Sequence, residues 1–227
     1  MQKFTTLDFP GFTGATLFTG GCNFRCKFCH NPELVIPEKL SFLTNDYIID
    51  FLKSRKGLIE AVTICGGEPT IHKEVLDWIK FIKELGFKVK LDTNATNSVL
   101  LEKVISENLV DMFAIDYKAP KKNFKDIVGT GLSPEMILDN ISKVVSSGIS
   151  YEIRTTIHND LHSEADIFEM IRELKEIGVD VYYLQAFKKT KETVGEVSGG
   201  IGSAELVRSF KEELKNHFNV SGVRNVD

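Results

Sequence analysis

Apolar and polar positions follow two alternating periods along most of the chain, and this alternation predicts an α/β fold. Short apolar runs typical of buried strands are followed by longer stretches in which apolar residues recur every three or four positions, as on one helix face. The predicted strands span 15–19, 61–64, 87–91, 111–115, 151–155 and 181–184. The predicted helices span 45–56, 73–84, 98–107, 134–147, 163–177 and 204–217, the first of them capped by Thr44.

Strands that alternate with helices through short connections imply right-handed crossovers and a parallel sheet. Six such units predict an α/β fold of the partial (β/α)6 barrel type, and a doubly wound sheet fits the pattern nearly as well. We expect a single domain over 1–227, with a core at about 12–187 and a C-terminal helix at about 204–217. The connection from Lys188 to Gly202 is polar and rich in glycine, which predicts either a mobile lid or an ordered rim contact.

The composition is that of an ordinary soluble protein, with 42% hydrophobic and 26% charged residues. Its 28 basic and 32 acidic residues give a net charge of -4, which offers no global attraction to nucleic acid. The first residues lack the apolar run of an export signal, and no segment reaches the length of a membrane span. We therefore expect a cytoplasmic protein without a membrane or nucleic-acid partner.

Three of the four cysteines lie within eight residues, in the segment 20–32, which we call the cysteine loop. Cys22, Cys26 and Cys29, the loop cysteines, have spacings that let three thiolates converge on one small inorganic centre. A structural zinc site is normally closed by four protein ligands, whereas three thiolates leave one iron of a cluster open for chemistry. The spacing therefore indicates a metal centre that reacts.

Other interpretations of these cysteines remain open at this stage. Residues 26–30 fit the C-x-x-C-H pattern of covalent haem attachment, and the loop cysteines with His30 or Cys65 could form a zinc site. Disulfides are not expected, because four cysteines in 227 residues is a low density and a chain of this length can bury its own core. Cys65 follows a buried strand, which predicts a small apolar filler and not a fourth ligand.

In parallel α/β folds the active site lies at the carboxyl ends of the strands. Those ends carry Cys65-Gly66-Gly67-Glu68-Pro69 after the second strand, Asp92-Thr93-Asn94-Ala95 after the third, Asp116-Tyr117-Lys118 after the fourth, and Gln185 after the sixth. On the fifth strand Glu152, Arg154 and Thr156 share one face. Two glycines let a backbone approach a ligand closely, and a carboxylate can accept a hydrogen bond from an ammonium group. Turns, helix caps and internal salt bridges are the structural alternatives for the same residues.

The C-x3-C-x2-C spacing with an aromatic residue before the last cysteine resembles the radical S-adenosylmethionine (SAM) superfamily. The resemblance implies a [4Fe-4S] cluster held by the loop cysteines, which are then the catalytic and metal-binding residues. It further implies that the open iron binds the amino and carboxylate groups of SAM. An electron from the cluster then cleaves SAM to methionine and a 5'-deoxyadenosyl radical, with the backbone around Phe28 near the adenine.

The strand-end motifs extend this resemblance. Residues 66–68 resemble the GGE motif that holds the amino group of SAM. Residues 92–95 and 116–118 resemble the D-T-N-G and D-x-K motifs of glycyl-radical activating enzymes, which contact the ribose and carboxylate of SAM; the chain departs from the first motif at Ala95, where glycine is usual. The cofactor-binding residues that the resemblance implies are Phe28, Gly66, Gly67, Glu68, Asp92, Thr93, Asn94, Asp116 and Lys118. Arg154, which could pair with a carboxylate of SAM or with Glu152, and Gln185, which could contact the ligand or lie at a polar rim, are added because of their positions on the fifth strand and after the sixth.

The segments 7–11, 21–32 and 152–156 together look like the activating proteins of anaerobic (class III) ribonucleoside-triphosphate reductase, and the likeness runs from about 7 to 185. It implies a radical SAM oxidoreductase that takes a hydrogen atom from one glycine of a partner enzyme. An electron donor such as flavodoxin or ferredoxin is implied as well. The alternatives are a pyruvate formate-lyase type of activase, a radical SAM enzyme for a small molecule, and a non-catalytic zinc-binding interaction domain.

Overall fold

The computed structural model describes residues 1–189 and 192–226, and the strands within them form a single eight-stranded sheet. The strands are β1 Gln2–Thr5, β2 Gly14–Thr19, β3 Ala61–Gly66, β4 Lys88–Thr93, β5 Met112–Asp116, β6 Ser150–Ile157, β7 Val181–Ala186 and β8 Val220–Arg224. They lie side by side in the order of the sequence. β1 is antiparallel to β2, and every later pair of neighbours is parallel.

Helices follow the parallel strands and cover the sheet. They are α1 Pro32–Val35, α2 Asn45–Arg55, α3 Val75–Glu84, α4 Ser98–Ser106, α5 Phe124–Val128, α6 Pro134–Ser146, α7 Glu164–Glu176, α8 Ser203–Ser209 and α9 Lys211–His217, with 3-10 turns at Pro37–Lys39, Pro69–Ile71 and Lys121–Asn123. The predicted cap of α2 is present, because the Thr44 side chain accepts a hydrogen bond from the backbone of Tyr47 at 3.3 Å. None of the described helices has the length and apolar character needed to span a bilayer.

The core lies between the sheet and the helices. In β5 the side chains of Phe113, Ala114 and Ile115 are all fully buried, so this strand is covered on both faces. Such burial explains why the parallel strands appear in the sequence as nearly continuous apolar runs. One face of the sheet also carries buried polar groups, among them Thr63 and Lys90, and this face leads to the site described below.

The predicted α/β fold with parallel strands is confirmed. The sequential strand order is that of a (β/α) barrel and differs from the reversing order of a doubly wound sheet. Among the described residues the two edge strands, β1 and β8, are not paired with each other, so the barrel is open. The sequence prediction missed both edge strands, and the structure therefore has seven parallel strands where six were expected.

Two predicted segments differ in detail. The helix expected at 204–217 is interrupted at Phe210, which is buried against the ring of Phe168 and whose backbone N–H donates to the carbonyl of Val207 at 3.2 Å, a tighter turn than an α-helix makes. The connection at 188–202 includes residues 190 and 191, which lie outside the described residues. Val194 and Gly195 donate backbone hydrogen bonds to the cysteine loop, so this part makes an ordered contact at the rim.

Candidate active site

The cysteine loop leaves the carboxyl end of β2 and is held through its backbone from two sides. Arg25 and Lys27 donate their N–H groups to carbonyl oxygens of α5, at 2.8 and 3.2 Å. From the other side, Val194 donates to the carbonyl of Cys29 at 3.2 Å, and Gly195 donates to that of Lys27 at 2.9 Å. Because these bonds use only main-chain groups, all three thiols remain available to a ligand.

The loop cysteines line one cavity of about 270 Å³, and none of them forms a disulfide. The backbone N–H of Phe24 donates to the sulfur of Cys22 at 3.4 Å. Burial raises the pKa of the Cys22 thiol, and it raises the pKa of Cys26 to about 12 although the nearby Lys118 ammonium acts in the opposite direction. Three free thiols at one cavity, with a backbone amide directed at sulfur, form a donor set that fits an iron–sulfur cluster with one open iron.

Cys65 borders the same cavity from the end of β3 but has different neighbours. Burial raises the pKa of its thiol, the charges of Asp92 and Asp8 raise it further, and those of Lys90 and Arg154 act in the opposite direction. Cys65 therefore faces the charged interior of the barrel. That Cys65 is not a cluster ligand stays a prediction.

The two glycines after β3 are required by the packing of backbone on backbone. Gly66 has a φ of +130°, and a Cβ at this position would lie 2.3 Å from the carbonyl oxygen of Thr19. A Cβ on Gly67 would lie 2.0 Å from the carbonyl oxygen of Gly21. The backbone N–H of Glu68 donates to that same oxygen at 2.8 Å. The two glycines were expected to let the backbone approach a ligand closely. In the structure they let the backbone after β3 approach the end of β2 and the cysteine loop.

Glu68 is almost fully buried, and its carboxylate accepts four hydrogen bonds. Oε1 accepts from the backbone N–H of Thr70 at 3.0 Å, from the Thr70 hydroxyl at 2.5 Å and from the Thr93 hydroxyl at 2.6 Å, while Oε2 accepts from the backbone N–H of Asn94 at 2.7 Å. Burial raises the pKa of this carboxyl, and the four donors oppose the shift. With a single donor on it, Oε2 retains a lone pair for another partner.

The turn after β4 is fixed to the cysteine loop. The Asn94 amide donates to the side-chain oxygen of Asn23 at 2.8 Å, and the Asn23 amide donates to the Thr96 hydroxyl at 2.8 Å. Ala95, where glycine is usual in the related motif, adopts a left-handed φ of +58° and is completely buried. Its carbonyl accepts a hydrogen bond from the Asn140 side chain at 2.8 Å. The turn therefore forms with alanine, and helix α6 supports it.

Arg154 lies at the centre of a network of charges on the inner face of the sheet. Its guanidinium donates to Asp92 and Asp116, both at 3.1 Å, and more weakly to Glu152 at 3.5 Å. Lys118 forms an ion pair with Asp116 at 3.3 Å. Burial alone would raise the pKa of Asp116, but Arg154 and Lys118 outweigh it and lower the pKa to about 2. The Asp116 carboxylate is therefore ionised at neutral pH.

Two basic residues that the sequence interpretation missed extend this network. Lys90 is buried in β4 and forms an ion pair with Asp92 at 2.6 Å, and Arg224 on β8 forms one with Glu152 at 2.8 Å. The alternating sequence of β4 contains a signal for Lys90, because residues two apart on a strand share a face and Asp92 is such a neighbour. No comparable signal exists for Arg224, which is 72 residues from Glu152 in sequence.

The cavity brings together nearly all of the predicted site residues. Of the predicted residues only Gln185 does not line it, and its amide instead points to the Thr156 hydroxyl at 3.5 Å. The additional lining residues are Phe18, Phe24, His30, Asn31, Val35, Cys65 and Thr156. The ring of His30 stacks on that of Phe187, with 4.5 Å between the ring centroids. His30 and Asn31 directly follow the last loop cysteine, which is the signal that could have identified them.

Known proteins resemble this chain in sequence and in fold. The Radical SAM superfamily description matches residues 16–164. A candidate glycyl-radical enzyme activating enzyme of Methanocaldococcus jannaschii is 32% identical over 191 residues, which are 81% of this chain and 77% of that protein. The GTP 3',8-cyclase of Clostridium perfringens is 27% identical over 206 residues, 87% of this chain and 61% of the cyclase.

Among solved structures, Streptococcus suis SuiB bound to S-adenosylmethionine has a TM-score of 0.73 at 16% identity, over 92% of this chain and 50% of SuiB. This likeness shows a shared fold. The family match covers the three-cysteine loop and four of the strand ends that surround the cavity. The chain therefore belongs to the radical SAM superfamily, and it is an enzyme of the kind that binds a [4Fe-4S] cluster and S-adenosylmethionine.

Proposed function

We propose that this radical SAM enzyme activates a glycyl-radical enzyme, and that its partner is an anaerobic ribonucleoside-triphosphate reductase. The observation that carries the proposal is the 32% identity to the candidate activating enzyme of Methanocaldococcus jannaschii, which extends over most of both chains. The sequence features that resemble reductase activating proteins support the choice of partner. Family membership also favours an enzyme over the zinc-binding interaction domain.

The loop cysteines are proposed to hold the cluster, with Cys65 excluded. When bound, the cluster supplies the electron that cleaves SAM to methionine and a 5'-deoxyadenosyl radical. The chain contributes a loop whose backbone is already held by α5 and by residues 194 and 195, so the three thiols need no large rearrangement. The ring of Phe28 is buried, and its centroid lies 5.8 Å from that of the His162 ring. It keeps water away from the loop on one side.

The SAM ammonium is proposed to bind at Oε2 of Glu68, since this oxygen has one donor in the structure and the other oxygen has three. Lys118 is the proposed partner of the SAM carboxylate. It and Arg154 are the cationic side chains among the described residues that line the cavity. Arg154 is already shared among three carboxylates, whereas Lys118 has one, so Lys118 has more capacity for a new anion.

Asp92, Thr93 and Asn94 are proposed to contact the ribose, whereas Gly66 and Gly67 are proposed to lie with Glu68 at the amino group of SAM. Hydroxyl groups of a ribose can donate to a carboxylate and accept from an amide, and both kinds of group are present at the end of β4. Arg154 forms ion pairs with Asp92 and Asp116, which orients both carboxylates before SAM arrives. Gln185 lies outside the cavity, and a role for it would need a rearrangement of its side chain.

The substrate is proposed to be a backbone glycine of the partner, with flavodoxin or ferredoxin as the electron donor. A glycine Cα–H has no side chain to block approach, and the resulting radical is delocalised over two peptide groups. To test this, the reduced enzyme is mixed anaerobically with SAM and the reductase of the same organism. We expect a doublet in the electron paramagnetic resonance spectrum that collapses when the partner contains α-deuterated glycine.

The matched control is Cys26→Ser, which should give no doublet because the proposed cluster is lost. SAM cleavage without a doublet on any glycyl-radical enzyme of the organism would contradict the proposal. A second candidate is a radical SAM enzyme for a small molecule, which the similarity to GTP 3',8-cyclase favours. Formation of 5'-deoxyadenosine that rises on addition of GTP, without any partner protein, would support this candidate instead.

A further inference from the structure

A second concavity, the side groove, adjoins the cavity at its mouth. The groove has a volume of about 410 Å³, lies between β2, α2 and the segment 33–43, and shares Phe18 and Asn31 with the cavity. Its walls are mainly apolar and include Leu17, Phe42 and Leu43. Phe42 is 64% exposed, so a large aromatic side chain faces solvent at this place. Exposed apolar surface that continues into an active site is typical of a substrate-binding surface.

The backbone of Phe18 adds main-chain hydrogen-bonding groups to the side groove. The carbonyl of Thr19 accepts a hydrogen bond from the backbone N–H of Gly67, so the backbone groups of Thr19 face β3. Successive residues of a strand direct their backbone groups to opposite edges, and those of Phe18 therefore face away from β3. On that side the pairing with β1 ends at Gln2 and Thr16, two residues before Phe18. No strand among the described residues lies opposite Phe18. Within the part of the chain that the structure describes, this end of β2 is therefore an open strand edge next to the cavity.

We propose that the side groove binds an extended peptide segment of the partner, adjacent to the glycine that receives the radical. The segment would pair with β2 at Phe18 as an added strand and place apolar side chains against Phe42 and Leu43. This inference rests on the proposed function and names the surface by which that function selects its substrate. The shared residues Phe18 and Asn31 lead directly from the groove to the cavity, so a segment bound here can insert its glycine there.

The chemistry of the side groove favours a polypeptide over a nucleotide. Among the described residues, no lysine, arginine or histidine side chain lines it, and the one acidic side chain is that of Glu33. A triphosphate requires several cationic side chains, which these walls do not supply. An apolar peptide gains from burying Phe42 and from main-chain hydrogen bonds along the edge.

The test compares Phe42→Ser with the control variant Leu58→Ser. Leu58 is 66% exposed, which is close to the exposure of Phe42, but it precedes β3 and therefore lies at the end of that strand away from the cavity. Each reduced enzyme is titrated with purified anaerobic ribonucleoside-triphosphate reductase, and the glycyl-radical doublet is quantified. We expect Phe42→Ser to raise the reductase concentration for half-maximal doublet formation by roughly tenfold or more, as for an aromatic hot-spot residue. Leu58→Ser should leave it unchanged, and both variants should cleave SAM normally with dithionite and no partner.

The ring of Phe42 packs close to Gly20, so iron content and melting temperature are measured for each variant. If Phe42→Ser loses iron, Leu43→Ser takes its place, because Leu43 lines the groove without lining the cavity. In a second measurement, p-benzoylphenylalanine in place of Phe42 is photolysed with the reductase, and we expect crosslinks to the segment that carries the radical glycine.

The outcomes separate the two proposals. A doublet with the unaltered enzyme, together with equal half-maximal concentrations for Phe42→Ser and Leu58→Ser, overturns the groove inference and leaves the activase function standing. Crosslinks confined to other parts of the reductase overturn it as well. If the unaltered enzyme produces no doublet with any glycyl-radical enzyme of the organism, or if GTP is the substrate, both proposals fall together.

Discussion

Replacing Glu68 with alanine tests whether one buried carboxylate holds the ends of β3 and β4 together. Four donors would lose their acceptor. The hydroxyls of Thr70 and Thr93 can rotate to other acceptors, but the backbone N–H groups of Thr70 and Asn94 cannot. At about 1–3 kcal/mol for each buried donor left unpaired, the two amides predict a loss of about 2–6 kcal/mol. That is a large part of the free energy of unfolding of a typical domain, which is about 5–15 kcal/mol.

The free energy of unfolding is measured by urea denaturation of the cluster-free protein under reducing conditions, with Trp78 fluorescence as the signal. Glu68→Gln should cost about 1–3 kcal/mol, because its amide oxygen can still accept from Thr70 and Thr93 while its NH2 group faces the N–H of Asn94. Glu107→Ala, which removes a surface ion pair with Lys80, is the control and should leave the free energy of unfolding almost unchanged. A Glu68→Ala protein within about 1 kcal/mol of the unaltered one would refute the reasoning.

Three further predictions concern other parts of the molecule. Serine in place of any loop cysteine should abolish bound iron, whereas Cys65→Ser should keep about four irons per chain, as counted by iron analysis after anaerobic reconstitution. Asp111 accepts hydrogen bonds from Lys83 and from the backbone of Val89, both at 2.8 Å, and these outweigh burial and lower its pKa below 3.8. Asp111→Asn should therefore cost about 1–3 kcal/mol at neutral pH, and urea denaturation should show this difference shrinking as the pH falls below 3.8. Ala95→Val should lower the unfolding free energy by more than about 2 kcal/mol, since a β-branched residue is strained at positive φ, while Ala95→Gly should change it by less than about 1 kcal/mol.

The apolar periodicity was sufficient to predict the six central parallel strands because each is buried and therefore apolar in sequence. The edge strands carry no such signal. β8 reads Val-Ser-Gly-Val-Arg and is only half-buried, and its Gly222 lies against the ring of Tyr183. β1 is four residues long and largely exposed. Short strands at a sheet edge depend on partners distant in sequence, which a local pattern does not contain.

The motifs predicted which residues meet at the cavity better than they predicted what each residue does there. Gly66 and Gly67 line the cavity, but their neighbours are the backbones of Thr19 and Gly21, and only a three-dimensional structure shows such a contact. Glu68 likewise lines the cavity while it also joins two strand ends. Such double roles are invisible in a sequence because each depends on side-chain positions set by several strands together.

The main-chain bonds that hold the cysteine loop bear on how the enzyme survives exposure to oxygen. Air destroys exposed iron–sulfur centres, and in many small metalloproteins the loss of metal unfolds the site. Here the loop is anchored to α5 and to residues 194 and 195 without any help from sulfur. An oxidised molecule would therefore keep its shape, and repair would require only reduced thiols, iron and sulfide in place of new protein synthesis.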